Sequence, residues 1–280
     1  MNTGEFAEMR SVRLRNKKAC YLLMLTVAAL AAVVPSSAKA EPVAVRQPEG
    51  VTHGFVTVRD MDGKRIADGE VTERLDGKHF TLHVDIHFLD GSRHEDKVKF
   101  EASGKLKLLE DVVTEKGPTF PKQIETSIHP GTGSVHVSYT DEKGKSDVID
   151  DKLEIPADIA NGLLLTVMKH VDPATPETSI SWIASTPKPR LVKLKITSQG
   201  RETITFGTIK TETIHYVVKT EIGGLAGVVA PLIGKQPPEI HVWMLAGGAP
   251  GFLKFEGPLF NEGPIWRIEM AAPISGPKVQ

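Results

Sequence analysis

Between His79 and Phe88 the chain alternates apolar and polar residues: Phe80, Leu82, Val84, Ile86 and Phe88 are interleaved with His79, Thr81, His83, Asp85 and His87. A period of two places the first set on one face of a β-strand and the second on the other, so the pattern predicts a strand over 79–89 with one buried face and one polar face. Shorter runs of the same kind, beginning with Phe55 to Arg59, are separated by turn signals at Asp62-Gly63, Asp76-Gly77, Asp90-Gly91, Ser103-Gly104, Gly131-Thr132-Gly133 and Lys143-Gly144. Glycine after aspartate favours the positive φ angles of tight hairpin loops. The first half therefore reads as an antiparallel meander.

After Leu153 the period changes. Pro156 suits a first helical position, and Ile159, Leu163, Leu164, Val167, Met168 and Val171 fall on one stripe at helical spacing before Asp172-Pro173. This predicts one amphipathic helix over about 156–171, with Asp158 near the positive end of its dipole and its stripe against the sheet. A brief strand at Ser179 to Ala184 follows. Val192, Leu194 and Ile196 then alternate with Lys193, Lys195 and Thr197, threonine-rich runs cover Glu202 to Lys210 and Thr211 to Glu221, and Val242 to Leu245, Phe252 to Glu256 and Ile265 to Met270 complete the strands. The fold class expected is mainly β: a curved antiparallel sheet, half-open barrel or sandwich with one helix. It covers 53–272 either as one domain or as two joined halves, 53–172 and 178–272, after a flexible lead-in over 41–52 and before a flexible tail over 273–280.

The amino terminus changes the picture of where such a domain works. Arg10, Arg13, Arg15, Lys17 and Lys18 precede an apolar run from Ala19 to Val34, and Ala38-Lys39-Ala40 places small residues before a cut at Glu41. That is the layout of a signal peptide, and a run of sixteen residues is short of the roughly 20 a membrane-spanning helix needs. The expectation is export to the periplasm or beyond, with no transmembrane anchor after processing. The leader would remove the sole cysteine, Cys20, and with it any disulfide, thiolate metal site or thiol nucleophile. It also takes six of the 34 Lys and Arg and two of the 35 Asp and Glu, leaving an acidic remainder that does not suit nucleic acid.

Two groups of residues carry candidate chemistry. The polar face of the 79–89 strand offers His83, Asp85 and His87 which, with His94 or Glu95 from the next strand, would hold a metal ion for a hydrolase. The bland alternative is a solvated sheet face. Residues 223–238 hold Leu225, Val228, Val229, Leu232 and Ile233 among glycines and prolines, and read either as an apolar flap or as a short helix plugging a barrel end. Together with Trp243, Phe252 and Phe255 they would line the mouth of an apolar interior for a lipid-like molecule or a hydrophobic polypeptide. No cofactor fingerprint, nucleophile elbow or phosphate loop is present in the sequence, and acids adjacent in a strand, such as Glu110-Asp111 and Asp150-Asp151, point to opposite faces.

Gly200-Arg201-Glu202-Thr203-Ile204, Gly207-Thr208-Ile209-Lys210-Thr211, and His241-Val242-Trp243 followed by Phe252-Leu253-Lys254-Phe255 resemble the strand succession of exported bacterial proteins grouped as domain of unknown function 3108. The resemblance covers about residues 190–272. The chain departs from the pattern where Gly207 directly follows Phe206 and where an insertion follows Glu221. It implies a periplasmic β-rich fold and brings no catalytic residues. The readings left open are a non-enzymatic binder of a hydrophobic ligand and a metal-dependent hydrolase.

Overall fold

The computed structural model describes residues 41–184, 188–222, 237–248 and 250–271. The leader at 1–40, the tail after 271 and the apolar insertion with Leu225, Val228, Val229, Leu232 and Ile233 lie outside the described residues. Among the described residues, fourteen strands form one antiparallel sheet. They are β1 (Thr52–Arg59), β2 (Arg65–Asp76), β3 (His79–Phe88), β4 (Arg93–Ser103), β5 (Lys105–Lys116), β6 (Gln123–His129), β7 (Ser134–Thr140) and β8 (Ser146–Lys152). The helix α1 (Leu164–His170) separates these from β9 (Thr178–Ala184), β10 (Arg190–Phe206), β11 (Ile209–Glu221), β12 (Ile240–Leu245), β13 (Phe252–Pro258) and β14 (Ile265–Met270).

Each half is a meander in which consecutive strands lie side by side and antiparallel; in the first half a turn glycine ends each alternating run and the next run folds back beside it. Between β2 and β3 the loop is two residues long, and its first position, Gly77, sits at φ +63°, where a side chain is disfavoured. The halves join through β1 and β14, with Val58 opposite Ile268, so one sheet runs from β8 through β1 and β14 to β9. The sheet is curved and unclosed: β8 and β9 are its two edges.

The alternation in β3 is borne out, with Leu82, Ile86 and Phe88 buried. Strands from both halves turn their inner residues toward one large apolar cluster, in which Phe100, Leu108 and Ile128 meet Ile180, Ile196, Tyr216 and Met244 around Leu163, Val167 and Met168. A second cluster lies under β1, β2 and β14, where Phe88, Phe120, Phe260 and Trp266 pack edge to face and tilted. The concave side is thus filled by the connection between the two edge strands.

That connection is not the long helix its periodicity predicts. Only Leu164–His170 is α-helical. Gly162 stands at φ +66°, outside the right-handed helical region, and a Cβ there would meet Val98 Cγ2 at 2.3 Å and Asp111 Oδ1 at 2.8 Å. Residues 156–163 form turns instead, with Leu163 N–H bonded to Ala160 O, and Ile159 forms a parallel bridge to Ser181 of β9. The apolar stripe is buried as expected, although a turn followed by a short helix presents it. Asp158 does not serve a helix dipole: it accepts hydrogen bonds from Ser181 Oγ and Lys193 Nζ, each at 2.8 Å.

Backbone groups on both sheet edges find local partners. Along β9, Ser181 and Ile183 exchange backbone bonds with Asp158, Ala160 and the Asn161 amide. Along β8, the Asp147 and Asp151 carboxylates accept from the N–H groups of Val148 and Lys152. Acids on an outer strand discourage pairing with another chain. Residues 41–50, read from the sequence as a flexible lead-in, have defined partners: Leu106 N–H donates to Val43 O at 2.8 Å, Val45 N–H donates to Gly104 O at 2.9 Å, and both valines pack on the core.

Candidate functional site

Three polar arrangements and one apolar surface are built from these elements. On the outer face of β3 and β4, Asp85 lies opposite Glu95 and His87 opposite Arg93. The Arg93 guanidinium grips Asp85 through two bonds of 2.7 and 2.8 Å and reaches Glu95 at 2.9 Å. Lys97 also reaches Glu95 at 2.9 Å, as does His83 Nε2. The Arg93 bonds hold Asp85 down to about 2, and Lys97 above all holds Glu95 below its usual value. His83, Asp85 and Glu95 therefore come within 4.8 Å of one another, the spacing a metal ion needs. Their oxygens already serve two cations, so an added ion must displace Arg93 and Lys97. The donor set fits an ion-pair lattice better than a metal. His87 touches Asp85 at 3.1 Å, whereas His94 leaves the group: it lies opposite Ile86, faces inward and pairs with Glu115.

The aromatic residues expected at one mouth divide between the two faces. Val242 is opposite Phe255 and Met244 opposite Phe252, all toward the interior, while Trp243 is opposite Lys254 on the other side. There the indole is sandwiched by the His215 ring, 4.5 Å away and 2° from parallel, and by the Lys254 ammonium at 3.7 Å. Its N–H donates to Glu202 at 2.8 Å, and His215 Nε2 lies 3.0 Å from His241 Nδ1. Burial is the largest influence on His215 and holds it below the usual imidazole value.

The third arrangement is interior and acidic. Asp96 and Asp111 meet diagonally across β4 and β5 beneath Gly162, and the Oδ1 atoms of both are buried without a donor. Burial raises both carboxyls, Asp111 well above the ordinary range. Two such acids in one apolar site hold a proton between them. A second acidic pair, Glu49 and Glu73, meets at the end of α1. Glu73 is pushed up to about 7, first by burial. Burial opposes ionisation of Glu49 too, but the bonds from His170 and Lys169 bring it down to about 2.

Neither pair was singled out from sequence. The signal on β4 was present, since His94 and Asp96 share parity with Val98 and Phe100. On β5 a register shift opposite Lys99 and Phe100 moves the inward set from Leu106 and Leu108 to Asp111 and Glu115. Glu110 and Asp111 do diverge, as adjacent strand residues must; the partner of Asp111 is across the ladder.

Two surface depressions, of about 320 and 550 Å³, are open to solvent. They are lined by strand ends and turns, the first including His129 and His136 and the second Phe120 and Gln123. No family model matches the chain, and no curated protein matches it. Among solved structures, the crystal structure of a β-barrel-like protein of domain of unknown function DUF1849 from Brucella abortus is similar at a TM-score of 0.41 and 10% identity, over 83% of this chain and 97% of that chain.

Proposed function

We propose that the chain is an exported protein of the cell envelope, freed of residues 1–40, which binds a lipid-like molecule or a hydrophobic polypeptide segment on the concave side of its sheet without catalysing a reaction. The observation that carries this reading is that the two edge strands β8 and β9 do not pair with each other. The apolar inner residues of both halves are covered instead by the protein's own Ile159, Leu163, Val167, Met168 and Val171, and a trough opens only where that stripe is displaced. The stripe is carried by turns and one seven-residue helix and is held to β9 by Asp158, Ala160 and Asn161, so an apolar ligand would take its place by releasing those bonds. Phe252 and Phe255 face this interior and are its expected contacts. The leader pattern at 1–40 and the resemblance to domain of unknown function 3108 support export.

The metal-hydrolase reading has one favourable observation, the proximity of His83, Asp85 and Glu95. Arg93 and Lys97 weigh against it for the reason given above.

Oleate titration followed by tryptophan emission, with mass spectrometry of an organic extract, tests binding. Saturable binding weakened at least tenfold by Phe255→Ala is expected. Absence of both a co-purified lipid and saturable uptake would count against the proposal. Intact mass of the exported protein, expected to begin at Glu41, tests processing.

A further inference from the structure

The 41–50 segment is fastened at two places of different chemistry. Its first half is held by backbone: Ala44 bridges Lys105, and Val43 and Val45 bond to β5 and to the turn before it. Its second half is held by side chains at the end of α1. The backbone N–H groups of Arg46 and Gln47 point at His170 Nδ1, at 3.2 and 3.4 Å. Because an amide only donates, Nδ1 accepts there, and Nε2 carries the proton it gives to Glu49 at 2.7 Å. Lys169 donates to the other Glu49 oxygen at 2.6 Å.

A second acid makes this site unusual. The Glu49 and Glu73 side chains are each 2% exposed, and Lys169, 3.6 Å from Glu73, is shared between them. One ammonium balances one carboxylate. Glu73 Oε1 has no donor and faces Glu49, so a proton on Glu73 completes the bonding and the charge balance together. Ionised, it leaves an uncompensated negative charge in a closed site. Among the described residues, the positions opposite Glu73 on the neighbouring strands are Thr52 and Leu82, neither of which titrates. The remaining charges at this end, Arg46 and Asp172, pair with each other at 2.9 Å and are exposed.

We propose that Glu49, Glu73, Lys169 and His170 form a proton-operated latch that fastens residues 46–50 to the end of α1 in mildly acidic solution and weakens its hold at neutral pH.

The sign follows from linkage. A carboxyl raised from 4.5 to about 7 in the docked state favours docking below 4.5, and the advantage is lost as pH rises through that window. Glu49, lowered to about 2, contributes its full effect once pH exceeds its ordinary 4.5. Loss of the Glu73 proton therefore weakens docking by about 100-fold between pH 4.5 and 7.5. That this loosening would ease ligand entry beside α1 rests on the interior-binding reading. The latch itself does not.

NMR-detected amide exchange on the purified protein without ligand tests it. The Val45 amide, bonded to Gly104 O, is the internal reference. Between pH 4.5 and 7.5, and after correction for intrinsic exchange, protection of Arg46 and Gln47 relative to Val45 is expected to fall by about 100-fold more in the unaltered protein than in Glu73→Gln, the contributions of Glu49 and of the His170 ring that accepts these amides being common to both. Glu73→Gln supplies the comparison because its amide donates to Glu49 and cannot ionise. Should the variant fail to fold, the carboxyl ¹³C titration of Glu73 in the unaltered protein decides: a midpoint near 7 is expected. The same pH dependence of the ratio in the unaltered protein and in Glu73→Gln, or an ordinary acidic midpoint for Glu73, would overturn the latch. Failure of oleate to bind would leave it standing, and a pH-independent strap would leave the interior reading standing.

Discussion

Replacing Gly162 by alanine probes the contact between the interior segment and the sheet. The substitution carries two separate costs. Alanine at φ +66° enters the left-handed region at about 1–2 kcal/mol. Its Cβ would also stand 2.3 Å from Val98 Cγ2 and 2.8 Å from Asp111 Oδ1. Neither neighbour is a loose end: Val98 and Asp111 are each 1% exposed. Forcing a methyl group into such packing adds about 1–3 kcal/mol. The sum, about 2–5 kcal/mol, corresponds to a fall in Tm of roughly 5–15 °C for a domain of this size. Urea denaturation followed by circular dichroism reads the first quantity and a thermal scan the second. A loss under 1 kcal/mol with native-like spectra would mean that residues 156–163 do not lie over Asp96 and Asp111, and the filled interior would have to be abandoned.

Asp111→Asn removes the need for a shared proton; because burial raises the folded-state carboxyl, the unaltered protein loses stability as pH rises from its ordinary 3.8, and urea midpoints at pH 5 and 8 are expected to fall more for it than for the variant. Tryptophan emission should quench as His215 protonates beneath Trp243, at a pH below the ordinary 6.5 because burial lowers this imidazole. His215→Phe should abolish that titration, and an unchanged curve would refute the assignment. Zinc is expected to leave Tm unaltered in the native protein. Arg93, 44% exposed, contributes at most about 1 kcal/mol through its ion pairs, so Arg93→Ala should fold and become the form in which zinc raises Tm. A zinc response in the native protein would revive the metal reading.

How much of this was legible in the sequence differs by physical cause. Strand alternation and turn glycines act locally, so β3, the β2–β3 loop and the antiparallel class follow from the order of residues. The stripe from Ile159 to Val171 was also visible, but the α1 boundary was not. One positive φ at Gly162 breaks the helix, and the reason lies in Val98 and Asp111 on distant strands. The candidate site fared similarly. His83 and Asp85 meet Glu95 because β3 and β4 are neighbours in a hairpin, while the parity of β4 turns His94 inward. Trp243 separates from Phe252 and Phe255 for the same reason: alternate residues face opposite ways, and the register shift between β12 and β13 decides which phenylalanines join Val242 and Met244. The two acid pairs depend on contacts between β4 and β5 past a register shift, and between the lead-in and α1, which no local pattern reveals.

The ε-methyl group of Met168, 1% exposed against the sheet, reports most directly on whether the concave side receives a ligand. With ¹³C-labelled methionine and a water-soluble paramagnetic agent, adding oleate should move this resonance and raise its relaxation as the 156–171 segment leaves the trough. Saturable oleate binding with the Met168 methyl still shielded would contradict the account, because the ligand would then sit somewhere other than the place the protein fills with its own chain.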